Sequence, residues 1–321
     1  MAFSPNTTFS ETSPLPYLAC LVPGKSVELQ EKLRNITNSV ILPLHLLMAS
    51  LSFLSNLLLL VAVARMKTRQ HPSLKLLCSL AISDLLWAVV GFSRGMRKAT
   101  DIYLCPTKRE EYTYTSMLCL FATMSNLAAI SRDRYRAVRR PRWYRAHMTK
   151  SRALKEAIVS WSASLTLVIL VFVSSRLLPE KRFLAHIVGV IFYLLCLIII
   201  ITCYAGIFVS NRRHNKHMFQ KEMQSLAALK REKKLAWTIG FILLALGTTF
   251  LPALACPIVL TTMGYRGLAP FRPFIMVLIT FNGLINPLIN CGRNDAIRRS
   301  IRNLFVCRRA TRCVPTGAVV P

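Results

Sequence analysis

The sequence predicts an all-α membrane protein: a seven-transmembrane helix bundle followed by a short amphipathic helix. Three observations carry that expectation. The 321 residues are 53% hydrophobic and only 17% charged, and the apolar residues fall in long blocks nearly free of charge. Seven of these blocks reach the ~20 residues that a helix needs to cross the hydrocarbon core. The segments between them are short and mostly basic. A soluble chain of this length divides into roughly two domains of about 150 residues, and these apolar blocks do not fit that division. A disordered chain is excluded on the same ground. The formal charge of +29 raises nucleic-acid binding, yet a basic soluble domain does not carry so much uninterrupted apolar sequence. No nucleic-acid partner is expected.

The predicted spans are Val40–Ala64, Leu74–Phe92, Tyr112–Val138, Ala153–Val173, Phe183–Phe208, Leu235–Leu260 and Phe271–Cys291. The third is the least apolar, with Ser, Thr and Asn at intervals. Removing it would put two strongly basic loops on opposite sides of the membrane. No internal repeat or inverted symmetry of the hydrophobic segments is evident. Residues 1–39 are polar and dotted with proline, and no cleavable signal peptide is expected.

An odd number of spans puts the termini on opposite sides, and the basic residues say which. One side, with the C-terminal tail, carries 29 of the 42 Lys and Arg residues; the other, with the N-terminus, carries 13. The expected arrangement is an extracellular segment over 1–39, a bundle over 40–292, an amphipathic helix over 293–305 and a cytoplasmic tail over 306–321. Two glycosylation sequons, at Asn6 and Asn35, fall on the outer segment.

Polar groups inside a span are costly, about 2.5–3.5 kcal/mol for a charge near the centre. Asp84 is the one carboxylate at mid-depth; Asn56 lies in the first span, and Asn282 and Asn286 lie in the seventh. Such groups satisfy one another only by converging inside the bundle. Two readings stay open: a structural hydrogen-bond cluster, or an ion or proton site that changes with conformation. The third span ends on Ser131-Arg132-Asp133-Arg134-Tyr135, and the seventh on Asn286-Pro287-Leu288-Ile289-Asn290. Pro287 should kink its helix and free a carbonyl for Asn side chains or water.

Taken in order, Asn56, the run Leu80-Ala81-x-x-Asp84, Asp133-Arg134-Tyr135, Trp161, Pro252 and Asn286-Pro287-x-x-Asn290 form a pattern. In that order and spacing, over about residues 40–305, the chain resembles a rhodopsin-like (class A) G protein-coupled receptor. The resemblance implies a receptor for an extracellular ligand that activates a heterotrimeric G protein when the sixth span moves outward. It gives Arg134, flanked by Asp133 and Tyr135, the role of holding the inactive state and then contacting the G protein. It offers Glu232 as the acidic partner of an ionic lock, unless Glu232 merely balances the Lys and Arg residues around it. Tyr204, Asn286, Pro287 and Asn290 complete the implied switch. Asp84, Thr123, Asn282 and Asn286, with Asn56 beside them, match the family's sodium pocket; a protonated Asp84 in a water network is the alternative. Cys307 and Cys313, expected to follow the amphipathic helix, match the family's palmitoylation sites.

The chain also departs from the family. Arg109 stands where the third span usually begins with a disulfide cysteine, and the second outer loop, 174–182, has none. Cys20 and Cys105 are the cysteines left to form a substitute bridge. Cys196 replaces the fifth-span proline, Phe250 the sixth-span tryptophan, and Asn290 the tyrosine of the seventh-span motif, so Tyr204 loses its usual phenolic partner.

The implied ligand pocket contains Ser116, Met117, Leu120, Phe250, Leu254, Met276 and Thr280. Ser116 stands where amine receptors carry Asp, and Thr280 stands where opsins carry the retinal lysine. Both ligand types are therefore disfavoured, while a small molecule, a lipid or a short peptide stays open. Arg94 and Arg272, near the outer helix ends, are candidates to attract an anionic group. No cofactor is expected beyond a possible sodium ion. The rival class is a transporter or channel, which should show paired intramembrane charges or broken helices. A membrane enzyme should show a catalytic cluster at membrane depth, and none is evident.

Overall fold

The computed structural model describes residues 26–66, 72–100, 111–177, 182–219 and 272–310, and among these every regular element is helical. Helix α1 (Val27–Ile36) begins where the Ser26 hydroxyl accepts the Leu29 N–H at 3.3 Å, with Glu28 favouring the positive end of the helix. It passes through one π turn, Thr37–Ile41, into α2 (Leu42–Arg65). Pro43 explains that turn. A proline ring clashes with the carbonyl four residues earlier, and the wider turn gives it room. The first spanning helix consequently extends back to Glu31, outside the predicted start at Val40.

Helix α3 (Pro72–Thr100) opens on proline, whose missing N–H has no helical partner at that position. Helix α4 (Glu111–Arg139) stops because Arg140 precedes Pro141 and takes an extended φ of −135°. Pro141 then starts the short α5 (Pro141–His147), followed by α6 (Lys150–Leu177) and α7 (Arg182–Phe219). The chain resumes with α8 (Arg272–Arg293) and α9 (Asp295–Ala310). Six of the described helical stretches are long and apolar enough to cross a membrane. The sixth predicted span, Leu235–Leu260, lies outside the described residues.

The bundle is apolar outside and polar within. On α2 the buried face reads Leu42, His45, Ala49, Ser52, Asn56, Leu59, Ala62 and Val63. The exposed face of the same helix carries Leu44, Leu47, Leu51, Leu54, Leu57 and Val61. Water would reverse that preference; lipid permits it, because the polar groups then bond only to one another. Apolar packing fills the gaps between them. Met124 and Ala128 of α4 meet Tyr193, Ile200, Tyr204 and Ile207 of α7, while Leu76, Ala129, Tyr144, Met148, Ala153 and Ala157 join α3 to α6.

Asn294 caps α9, its side-chain oxygen accepting the Ala296 and Ile297 N–H groups at 3.0 and 3.4 Å. Ile297 is fully buried against Leu59, Val63, Leu74 and Leu77, and Ser300 donates to the Ala62 carbonyl at 2.9 Å. Helix α9 runs on to Ala310, beyond the predicted end at Phe305. Cys307 therefore lies within the helix and not after it.

Candidate functional site

Three polar constellations lie along the bundle axis. In the middle, Asp84 on α3 is buried at 2% exposure. The Asn286 amide of α8 donates to one of its oxygens at 2.8 Å, and the Thr123 hydroxyl of α4 approaches the other at 3.4 Å. Thr123 also lies 3.2 Å from the Ser83 hydroxyl. Beside this group, the Asn56 amide donates to the Gly283 carbonyl at 2.9 Å. That carbonyl is the acceptor Pro287 leaves without its intrahelical donor, four residues on. The predicted freed carbonyl is thus taken by the predicted asparagine. Helix α8 remains helical through Pro287. Asn282 is buried one turn before Asn286, and the Asn290 amide folds back onto the Asn286 carbonyl at 2.8 Å.

The oxygens gathered here fit a small hard cation: the Asp84 carboxylate, the Thr123 and Ser83 hydroxyls, and nearby Asn56. The Asn56 side-chain oxygen is buried with no hydrogen-bond partner among the described residues. Asp84 and Thr123 would hold such an ion, which would supply a positive charge to a buried carboxylate. Among the described residues no three His, Cys, Asp or Glu side chains converge on a metal position.

At the other end of α4, Asp133 is 1% exposed. Its carboxylate accepts the Tyr144 hydroxyl at 2.7 Å and the Ser73 hydroxyl at 2.8 Å, and those two hydroxyls lie 3.0 Å apart. Ser73 comes from the start of α3 and Tyr144 from α5, so Asp133 pins three elements together. Burial and the Asp133 carboxylate push the Tyr144 hydroxyl up to about 12, so it remains a donor. Arg134 is half-buried and makes no salt bridge or hydrogen bond among the described residues. Tyr135 packs against Gly206 of α7, where an added Cβ would stand 2.5 Å from a ring carbon. Tyr204 is buried in the α4–α7 core. Glu232 lies outside the described residues.

Toward the N-terminal end of α2, Thr280 is fully buried. Its hydroxyl donates to the Met276 carbonyl at 2.8 Å and meets the Trp87 indole N–H and His45 Nε2, each at 3.1 Å. Leu120 and Met276 pack around Trp87, Cys119 and Ile279. Ser116 accepts a 2.8 Å hydrogen bond from Arg94, joining two residues that the sequence singled out separately. Met117 is half-buried on the same helix. Phe250 and Leu254 lie outside the described residues, as do Asn6, Cys20, Cys105 and Cys313. Asn35 is exposed on α1, with its sequon threonine, Thr37, buried.

Sequence reasoning missed Ser73, Tyr144, Ser79, Asn126, His45 and Trp87. Trp161 of α6 donates to Ser79 at 3.0 Å, and Ser79 donates to Asn126 at 2.8 Å, tying α3, α4 and α6 together. For Tyr144 a signal was available: Pro141 as the first residue of a helix, placing a tyrosine eleven residues after Asp133. Ser73 and Ser79 carry no comparable mark, because serine is common in any span.

The sequence model of the family described as "7 transmembrane receptor (rhodopsin family)" matches residues 55–290 of this chain. A similar curated protein is human melanocortin receptor 5, 24% identical over 275 residues, covering 80% of this chain and 82% of that receptor. The match runs from the first to the seventh expected span and includes Asp84 and Asn286 of the central constellation and Asp133 and Arg134 at the C-terminal end of α4. The chain belongs to the rhodopsin family of seven-transmembrane receptors.

Proposed function

We propose that this receptor sits in the plasma membrane with its N-terminus outside and couples an extracellular ligand to a heterotrimeric G protein. Residues 1–39 then face outward, 40–292 form the bundle, 293–305 open the amphipathic helix, and 306–321 lie in the cytoplasm. One observation carries the coupling. Asp133 is engaged by Ser73 and Tyr144, and Arg134 has no acidic partner among the described residues. A half-buried guanidinium without a fixed partner suits an arginine that changes partners between two helix packings. Differential contacts of this kind bias such an equilibrium by ~1–3 kcal/mol. Asp84, Asn56, Thr123, Asn282 and Asn286 form the polar axis that the packing change crosses.

The ligand class is a small molecule, a lipid or a short peptide entering near Ser116, Met117, Leu120 and Met276. Thr280 acts behind that surface, holding Trp87 and His45. A melanocortin, the ligand for which the similar human receptor is named, is a first compound to screen. The test is nucleotide exchange by a panel of purified G protein heterotrimers on the full chain reconstituted in lipid, run beside a solute-flux assay. Exchange stimulated by the chain supports the receptor, whereas flux without exchange supports a transporter.

A further inference from the structure

Arg94 and Lys98 follow Trp87 on α3 by seven and eleven residues, spacings that keep all three within about 20° of one stripe of the helix. That stripe faces the bundle interior. Trp87 is buried beside Cys119 and Ile279, with Leu120 and Met276 packed against it. Two turns along, half-buried Arg94 reaches across to α4 and donates to the Ser116 hydroxyl at 2.8 Å. Arg94 and Lys98 both lie close enough to His45, buried on α2, for their charges to act on its ring. From residue 85 to residue 100 the helix carries Arg94, Arg97 and Lys98 and no carboxylate.

Ten residues of helix place Arg94 about 15 Å along α3 from Asp84, near the edge of a ~30 Å hydrocarbon core centred on that carboxylate. An arginine at that depth can snorkel to water at little cost. Arg94 turns instead toward a neighbouring helix, above an apolar floor. A guanidinium has five N–H donors in a planar fork, so Arg94 can hold the Ser116 hydroxyl and both oxygens of a carboxylate with two donors left for other contacts. We propose that this wall binds an amphiphilic organic anion, with its carboxylate on Arg94 and its apolar body on Trp87, Leu120 and Met276. One charge and two coplanar oxygens match one guanidinium beside a neutral hydroxyl. Lys98, one turn further along, adds positive potential that draws an anion in. A protonated amine meets two like charges there and is rejected. The site lies at the ligand entry proposed above, so its identity as a ligand site rests on that reading.

The test uses the full chain in nanodiscs and a panel of alkyl and aryl carboxylic acids, each paired with its primary amide and its amine. Binding is read by saturation-transfer NMR against empty discs. Acids should bind with dissociation constants of ~1 mM or below, and more tightly than their amides and amines. Arg94→Gln should weaken acid binding ~30-fold or more, as expected for truncating one partner of a desolvated charge pair. Arg94→Lys, which keeps the charge and loses the fork, should fall between the two. Arg97→Gln, at an exposed position off the stripe, should change it by less than about 2-fold. Amides or amines that bind as well as their acids, acid binding that survives Arg94→Gln, or no acid binding at ~1 mM would overturn the site. Ligand-free nucleotide exchange separates this outcome from the receptor reading. Equal exchange in wild type and Arg94→Gln shows that the variant folds, whereas exchange absent from both would count against the receptor and leave acid binding to be judged on its own.

Discussion

Tyr144 donates a 2.7 Å hydrogen bond to the buried carboxylate of Asp133, and through it the short helix α5 is fastened to the C-terminal end of α4. Ser73 supplies the second donor at 2.8 Å. The carboxylate beside Arg134 thus has its hydrogen bonds from other helices and leaves its neighbour without a fixed partner among the described residues.

Removing the Tyr144 hydroxyl should loosen that attachment. Tyr144→Phe leaves a buried carboxylate one donor short and should cost about 1–3 kcal/mol. The loss is read as a lower unfolding temperature in detergent. Ser73→Ala should behave similarly, and the double variant should cost less than the sum, because both donors serve one carboxylate.

The same pair sets a pH dependence. The folded Tyr144 pKa of about 12 lies above the usual value near 10. Its contribution to stability is therefore complete below about pH 10 and lost as the pH rises through about 12. The difference in stability between wild type and Tyr144→Phe should stay constant from neutral pH to about pH 10 and narrow above it. A difference that narrows between pH 7 and 9 would contradict the assignment.

The Asp84 cluster predicts a sodium effect. If Asp84 and Thr123 hold a sodium ion, sodium at tenfold its dissociation constant stabilises the fold by about 1.4 kcal/mol. Replacing sodium by choline at equal ionic strength should lower the unfolding temperature of the wild type. Asp84→Asn should abolish that response. A sodium effect that survives in the variant would place the ion elsewhere.

Much of the transmembrane architecture was legible because its cause is local. Long apolar blocks are a property of neighbouring residues, and six of the seven expected spans are long apolar helices among the described residues. Asn56 and Pro287 were readable for a related reason: a proline frees a carbonyl four residues earlier, and here Asn56 takes the one on Gly283. The π turn before Pro43 was not readable, since nothing in the pattern says whether proline is met by a kink or by a wider turn. Neither was the engagement of Asp133, because Ser73 lies sixty positions away and only packing of α3 against α4 brings it near. Thr280 was read as a pocket residue; its partners His45 and Trp87 come from two other helices and become visible only in the fold.

Thr280 gives a further prediction. Thr280→Val keeps the shape but leaves the Trp87 N–H and His45 Nε2 without their shared oxygen. The cost should be about 2–4 kcal/mol for two buried unsatisfied groups. Thr280→Ser, which retains the hydroxyl, should recover most of it in the same thermal assay.

Arg134 is proposed as the residue that engages the G protein, and nucleotide exchange without ligand in a reconstituted bilayer tests that role most directly. Exchange by wild-type chain should fall at least ~10-fold in Arg134→Ala, corresponding to about 1.4 kcal/mol or more of lost coupling. Tyr144→Phe, measured at equal folded protein, should keep it. Arg134→Ala that stimulates exchange as well as the wild type would contradict the central claim.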